Sequence, residues 1–225
     1  MCKTMKEKEQ EIFKSKGWQA VNRIGILNEN YHTLILNYQE LINEIVRIQT
    51  TKEPMTLLFN NLNLNRFIFN FLASTSALVD SCRNTMKYYE NTGIYKNYQT
   101  NITNNFANNK TAVFIKDLRN YQMHFRFEFP CLSDEGLVSY EIYKLKEYNK
   151  WTKLSQELIN ESGLFIELKP LFEQYFKMLG PFYKDIYTDL VKYHQEDFKE
   201  TLAKGREINM FMPPIYYKLI NGLIN

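Results

Sequence analysis

Leu64-Asn65-Arg66-Phe67-Ile68-Phe69-Asn70-Phe71-Leu72-Ala73-Ser74-Thr75-Ser76-Ala77-Leu78-Val79-Asp80-Ser81-Cys82 is the stretch whose reading decides the fold. Leu64, Ile68, Phe71, Leu78, Cys82 and Met86 recur at helical spacing, and Phe67, Phe69 and Leu72 widen the stripe. An apolar surface this broad predicts a helix from about Asn61 to Glu90 that is covered on more than one side. The small residues Ala73 to Ala77 let a neighbouring backbone approach closely, and Asn91-Thr92-Gly93 stops the helix. Upstream, Leu27, Tyr31, Leu34, Tyr38, Leu41, Ile45 and Ile48 alternate steps of four and three. That is the stripe of a long helix packed along another, and Pro54 forbids its continuation. A charged lead, 3–16, reads as a frayed helix.

Downstream, residues 97–110 are rich in Asn and Thr, which favour turns and caps, so a loop or weak surface helix is expected there. A third strong helix follows over Thr111–His124, with Phe114, Leu118, Tyr121 and Phe125 on its apolar face. The period then changes. Phe125, Phe127 and Phe129 alternate with Arg126 and Glu128, Ser133-Asp134-Glu135-Gly136 is a turn cluster, and Val138, Tyr140 and Ile142 alternate again. Two alternating runs around a Gly-containing turn predict a β-hairpin, with Pro130 confining its strand to an edge or marking a bulge. Helical period returns near 147–161, ending at Ser162-Gly163. It returns again with Leu171, Phe172, Tyr175, Phe176 and Leu179, where Gly180-Pro181 predicts an interruption. A further helix to about Lys204 turns Phe182, Ile186, Leu190 and Tyr193 inward, and Pro213-Pro214 precedes a last amphipathic piece, Ile215–Ile224.

The expected fold is mainly α, a helical bundle with an inserted β-hairpin and additional C-terminal helices. No linker or internal repeat divides the chain, so 1–225 reads as one domain: core helices about 25–125, hairpin about 125–145, C-terminal helical region about 146–225. A net charge of +3 over 225 residues is too mild to announce a nucleic-acid binder, so any such contact must come from a local patch. Cys2, Cys82 and Cys131 are odd in number and lack metal-type spacing, which suits a reducing compartment. The charged N-terminus has no apolar run behind it, so no signal peptide is expected. Phe67–Val79 is too short to span a bilayer and carries Asn70, Ser74, Thr75 and Ser76. A cytoplasmic protein is the expectation. No His, Cys and carboxylate set has metal-ligand spacing, and neither a Gly-rich phosphate loop nor a nucleophile elbow is present. No metal or cofactor is therefore expected.

One string carries chemistry: Phe114-Ile115-Lys116-Asp117-Leu118-Arg119-Asn120-Tyr121-Gln122-Met123-His124. It places an Arg, an amide and a His at the end of an apolar helix. Preceded by a long helix containing Asn70-Phe71-Leu72-Ala73-Ser74-Thr75-Ser76-Ala77-Leu78-Val79-Asp80, it resembles the R-x4–6-H motif of the HEPN superfamily, here Arg119-Asn120-x3-His124. The likeness is to small bacterial HEPN-like proteins and extends over roughly residues 25–195, specific around 114–124 and looser elsewhere. The resemblance implies a metal-independent endoribonuclease of the toxin or phage-defence type, with RNA as substrate and an antitoxin or other protein as partner. It also implies a homodimer, because HEPN motifs commonly meet in a composite cleft between two domains. The other class it allows is a catalytically silent interaction module binding nucleic acid or a protein.

The residue types suit metal-free RNA cleavage. A His near its reference pKa can take the 2′-hydroxyl proton or protonate the leaving 5′-oxygen. A guanidinium makes bidentate contacts to the charged phosphate. Arg119 and His124 are thus the candidate catalytic pair, with Asn120 holding the phosphate or the imidazole. Asp117, which shares one helical flank with Asn120 and His124, is a secondary candidate for orienting the ring. Five helical steps set Arg119 and His124 about 140° apart around the axis, so convergence needs a bend, a helix end or a second copy. The structural alternatives are a core-edge His124 bonded to a backbone carbonyl, and an Arg119 that caps its helix or pairs with Asp80. Asp80 and Arg83, one turn apart, read as an ion pair, and His32 and His194 as surface or packing residues.

Overall fold

The two apolar stripes of the first long helices face each other, and the rest of the chain is laid against that pair. In the computed structural model, which describes residues 3–51, 54–133 and 135–220, the elements run as follows. A short helix α1 (Met5–Phe13) is opened by a reciprocal capping box between Thr4 and Glu7. The long helices α2 (Lys16–Thr51) and α3 (Pro54–Met86) then pack antiparallel. Leu27, Leu34, Leu41, Ile45 and Ile48 on α2 and Leu64, Ile68, Phe71, Leu78, Cys82 and Met86 on α3 are all buried. Asn30 donates to Ser81 Oγ at 2.7 Å and Asn37 to the Asn70 carbonyl at 3.3 Å, pinning the register of the pair. Tyr31 and Tyr38 sit at the edge of the α2 stripe and are only half-buried. They stack on Tyr183 and Phe176 at 3.9 and 3.8 Å between ring centroids, which fixes the next layer.

That layer is α8 (Leu168–Tyr193), and it departs from expectation: the helix passes through Gly180 and Pro181 without interruption. Proline in a helix interior costs roughly 3 kcal/mol. Here Leu179, Phe182 and Tyr183 are buried on either side of it, and the two aromatic stacks hold both halves to α2. Packing outweighs the lost hydrogen bond. The Asn- and Thr-rich segment is likewise more ordered than its composition implies. It forms α4 (Gly93–Ile102) and a π turn (Thr103–Ala107), because Ile94 and Tyr98 are buried while Asn97 and Asn101 donate to Asp189 and Asp185 of α8. Helix α5 (Lys110–His124) follows, capped by the Asn109 side chain accepting from the Ala112 amide at 3.0 Å.

The hairpin is present but shorter than predicted. Strand β1 (Cys131–Leu132) pairs antiparallel with β2 (Val138–Glu141), and Gly136 makes the turn at φ +77°. Asp134 of the predicted turn cluster lies outside the described residues. Phe125 to Pro130 belong to no strand, and Ile142 opens a short helix, α6 (Ile142–Leu145). A third strand that the sequence did not announce, β3 (Phe165–Glu167), lies on the other side of β2 after α7 (Lys153–Glu161). The C-terminal helices α9 (Gln195–Glu207) and α10 (Pro214–Ile220) return to the start of α2. Gly17 is required there: a Cβ would sit 2.3 Å from the Asp197 carbonyl oxygen. Cys2, the end of the predicted piece Ile215–Ile224, and Lys52 and Glu53 before Pro54 lie outside the described residues. Among the described residues no helix is long and apolar enough to cross a membrane.

Candidate functional site

Helix α5 is held by its aromatic face. Phe114 and Tyr121 both stack on Trp151, at 5.3 and 5.2 Å between centroids, and Leu118 is fully buried between them. Its end is set where the amides of Phe125 and Arg126 both donate to the Tyr121 carbonyl. This anchoring decides where the polar side chains go. Arg119 is half-buried and lines a hollow of about 240 Å³ between α3 and α5, together with Phe69, Ala73, Ser76, Asp80, Gln122 and Met123. Asp80 shares the hollow but bonds Arg83 at 2.8 Å, so Arg119 has neither an ion pair nor a hydrogen bond among the described residues. Asn120 is half-buried and His124 exposed, and their side chains also make no hydrogen bond among the described residues. His124 does not line the hollow.

Asp117 is engaged by the segment that opens α7. It is buried, and its Oδ2 accepts from the Thr152 amide at 3.0 Å, the Thr152 hydroxyl at 2.6 Å and the Ser155 hydroxyl at 2.8 Å. It caps the N-terminus of α7 from outside that helix, tying α7 to α5. Among the described residues no hydrogen bond joins Asp117 to His124.

The irregular segment after α5 turns its glutamate inward and its phenylalanines outward. Glu128 is buried, whereas Phe125, Phe127 and Phe129 are each nearly half exposed, at 48%, 49% and 45%. The reason is electrostatic. Tyr121 Oη donates to Glu128 Oε2 at 2.9 Å, and Arg126 donates from Nε at 3.0 Å and approaches with Nη2 to 2.8 Å. Burial and then the Glu128 carboxylate push the Tyr121 hydroxyl well above its ordinary range, so it stays a donor. Pulling this network inward turns the phenylalanines out. Phe127 lies 5.9 Å from Phe69, which joins the exposed aromatics to the wall of the Arg119 hollow.

Of the other histidines, His32 is exposed, while His194 is buried between two partners. Tyr89 Oη lies 2.8 Å from its Nε2 and Asp197 Oδ2 lies 2.7 Å from its Nδ1. The carboxylate only accepts, so Nδ1 carries the proton and Nε2 accepts from the tyrosine. Burial holds the imidazole below its usual pKa, against the pull of Asp197. The described residues contain no group of three metal-ligating side chains. Sequence reading did not single out Gln122 or Phe69 for this site, since neither matches a motif and only the contact between α3 and α5 brings them to Arg119. No protein-family model, curated protein or solved structure matches the chain.

Proposed function

We propose that the chain is a metal-independent endoribonuclease of HEPN type that acts as a homodimer. Arg119 binds the scissile phosphate, His124 transfers the proton, and Asn120 helps hold the phosphate or the imidazole. One observation carries the reading: a permanently charged, half-buried guanidinium stands in an open hollow with no acidic partner among the described residues, although Asp80 lines the same hollow. A structural arginine in that position would gain by pairing, whereas a phosphate ligand must be left free. His124 lies outside the hollow that Arg119 lines, so on this reading a second copy supplies the other half of the cleft. The apolar surface beside them, from Met123 to Phe129, is of the kind that a partner covers. Attack of the 2′-oxygen on the adjacent phosphorus expels the 5′-oxygen. The attacking hydroxyl gives its proton to one histidine or to water, and the leaving oxygen takes a proton in turn, leaving a 2′,3′-cyclic phosphate. Toxin or phage-defence use follows from unrestrained RNA cleavage and predicts growth inhibition on expression.

The same exposed phenylalanines favour the second reading, a catalytically silent module that binds a protein partner through this surface. Cleavage of unstructured RNA in excess EDTA separates the two. The expected result is an undiminished rate, products ending in 2′,3′-cyclic phosphate, and loss of activity in Arg119→Ala and in His124→Ala with melting near wild type. Arg119→Lys also fails, because an ammonium keeps the charge and loses the fork. Cleavage that needs Mg²⁺ or Mn²⁺, or wild-type protein that never cuts RNA, overturns the ribonuclease reading.

A further inference from the structure

We infer that Lys116 binds the phosphate next to the one held by Arg119, so that a single RNA strand lies along the outward face of α5. The inference rests on the ribonuclease reading, to which it adds a substrate-binding residue and the path of the strand. Helix α5 turns Phe114, Ile115, Leu118 and Tyr121 inward, and its one carboxylate, Asp117, is buried with them. From Lys116 onward, the residues left exposed or half-buried are Lys116, Arg119, Asn120, Met123 and His124, a face with no acidic residue. Lys116 is exposed and makes no ion pair among the described residues. Lys110, earlier on the same helix, is paired with both Glu157 and Glu161. One lysine ties α5 to α7, and the other is left for a ligand.

On a regular helix Lys116 points between the two candidate catalytic side chains, about 60° round the axis from Arg119 and about 80° from His124. Arg119 stands three residues away and Asn120 four, the spacings at which helical side chains are neighbours, with Cβ atoms about 5–6 Å apart. A strand whose scissile phosphate lies on Arg119 therefore meets a second cation as it continues towards the N-terminal end of α5. The C-terminal end of a helix carries partial negative charge, which repels phosphate but fades within the last turn. Lys116 is clear of it, about two turns before His124. An ammonium is a compact point charge with three donors, so it holds phosphate oxygens without reading a base. Lys116 is thus a binding residue with no part in proton transfer, and it favours any unpaired strand alike.

The test titrates the full chain with fluorescein-labelled 2′-O-methyl dodecamers of U and of A, read by anisotropy at KCl from about 50 to about 200 mM. Lys116→Gln is expected to weaken both strands alike, about three- to tenfold at the lowest salt. It also makes the slope of log affinity against log salt shallower by about 0.7, the value of one single-strand phosphate contact. Lys116→Arg, which keeps the charge, keeps affinity and slope. Lys184→Gln, which removes a lysine from the groove between α4 and α8, keeps both too. On ordinary RNA, Lys116→Gln raises KM and leaves kcat near wild type. Unchanged affinity and slope in Lys116→Gln overturn the inference. So does an equal flattening in Lys184→Gln, since net charge rather than a contact is then responsible, and so does a wild-type chain that binds neither strand. The methylated strands cannot be cut, so the two readings fail separately. A salt slope that depends on Lys116 without cleavage of ordinary RNA sinks the ribonuclease reading alone, and cleavage with binding indifferent to Lys116 sinks this inference alone.

Discussion

Asp117 shows how a residue's role is decided by what its neighbours bring to it. Its carboxylate collects three donors from Thr152 and Ser155 at the start of α7, so Asp117→Ala leaves the fully buried Ser155 hydroxyl only a long contact to the Thr152 hydroxyl, at 3.3 Å. That costs about 1–3 kcal/mol, and a chain of this size should melt roughly 2–4 °C lower per kcal/mol. Below its melting range the variant is expected to keep wild-type RNA cleavage. Calorimetry beside an activity assay checks this, and an unchanged melting temperature with lost cleavage would return Asp117 to the catalytic group. His194 gives a second test at this scale. Its folded-state pKa is depressed below the unfolded 6.5, so it contributes stability that is complete above that value. The contribution is lost as pH falls through 6.5 towards the folded pKa, where the unfolded chain binds the proton first. Melting temperatures of wild type and His194→Gln should therefore converge as the pH drops from about 7 to about 5; a constant gap would mean that the ring does not titrate differently on folding. Arg119, Asn120 and His124 were legible in the sequence as a motif and as residue types. The partners of Asp117, His194 and Glu128 were not, because each comes from a segment brought in by tertiary packing.

Elements were legible in proportion to their apolar stripes. α2, α3 and α5 follow from residues 27–48, 64–86 and 114–121, whose spacing is helical and whose side chains are buried. The hairpin turn follows from Ser133 and Gly136. Misjudged elements are those where local preference and tertiary contact disagree. The weak composition of α4 is offset by its amide contacts to α8, the 125–129 alternation is inverted by a buried ion network, and β3 is too short to carry a period of its own. Pro181 is the sharpest case, and it can be tested. If α8 runs straight through because packing overrides the break, Pro181→Ala restores an amide donor to the helix. It also loses about 0.4–1 kcal/mol of unfolded-state restriction. The balance is a stabilisation of about 2–2.6 kcal/mol, read as a higher urea midpoint with unchanged slope. A lower midpoint would show that the proline relieves a strain which the alanine helix cannot.

For the molecule as a whole, the decisive question is whether two chains share the cleft. If Arg119 comes from one copy and His124 from the other, mixing an Arg119→Ala chain with a His124→Ala chain rebuilds one intact cleft in each heterodimer. Cleavage is then expected to return on mixing, below the wild-type level and in step with subunit exchange. No recovery would mean that each chain supplies its own pair or that both motifs act together. The proposed homodimer would cover the exposed Met123, Phe125, Phe127 and Phe129 next to α5; a different part of the fold is the seam where its ends meet. At that seam Trp18 on α2 lies 5.8 Å from Tyr216 on α10, and the α2 backbone at Gly17 is pressed against Asp197 and Thr201 of α9. Contacts between segments so distant along the sequence slow folding, because the intervening chain must be ordered before they reward it. During vectorial synthesis the first turns of α2 wait uncovered until α9 and α10 have left the ribosome. A ribosome stalled before that point would hold a nascent chain whose leading helix is open to chaperone or protease.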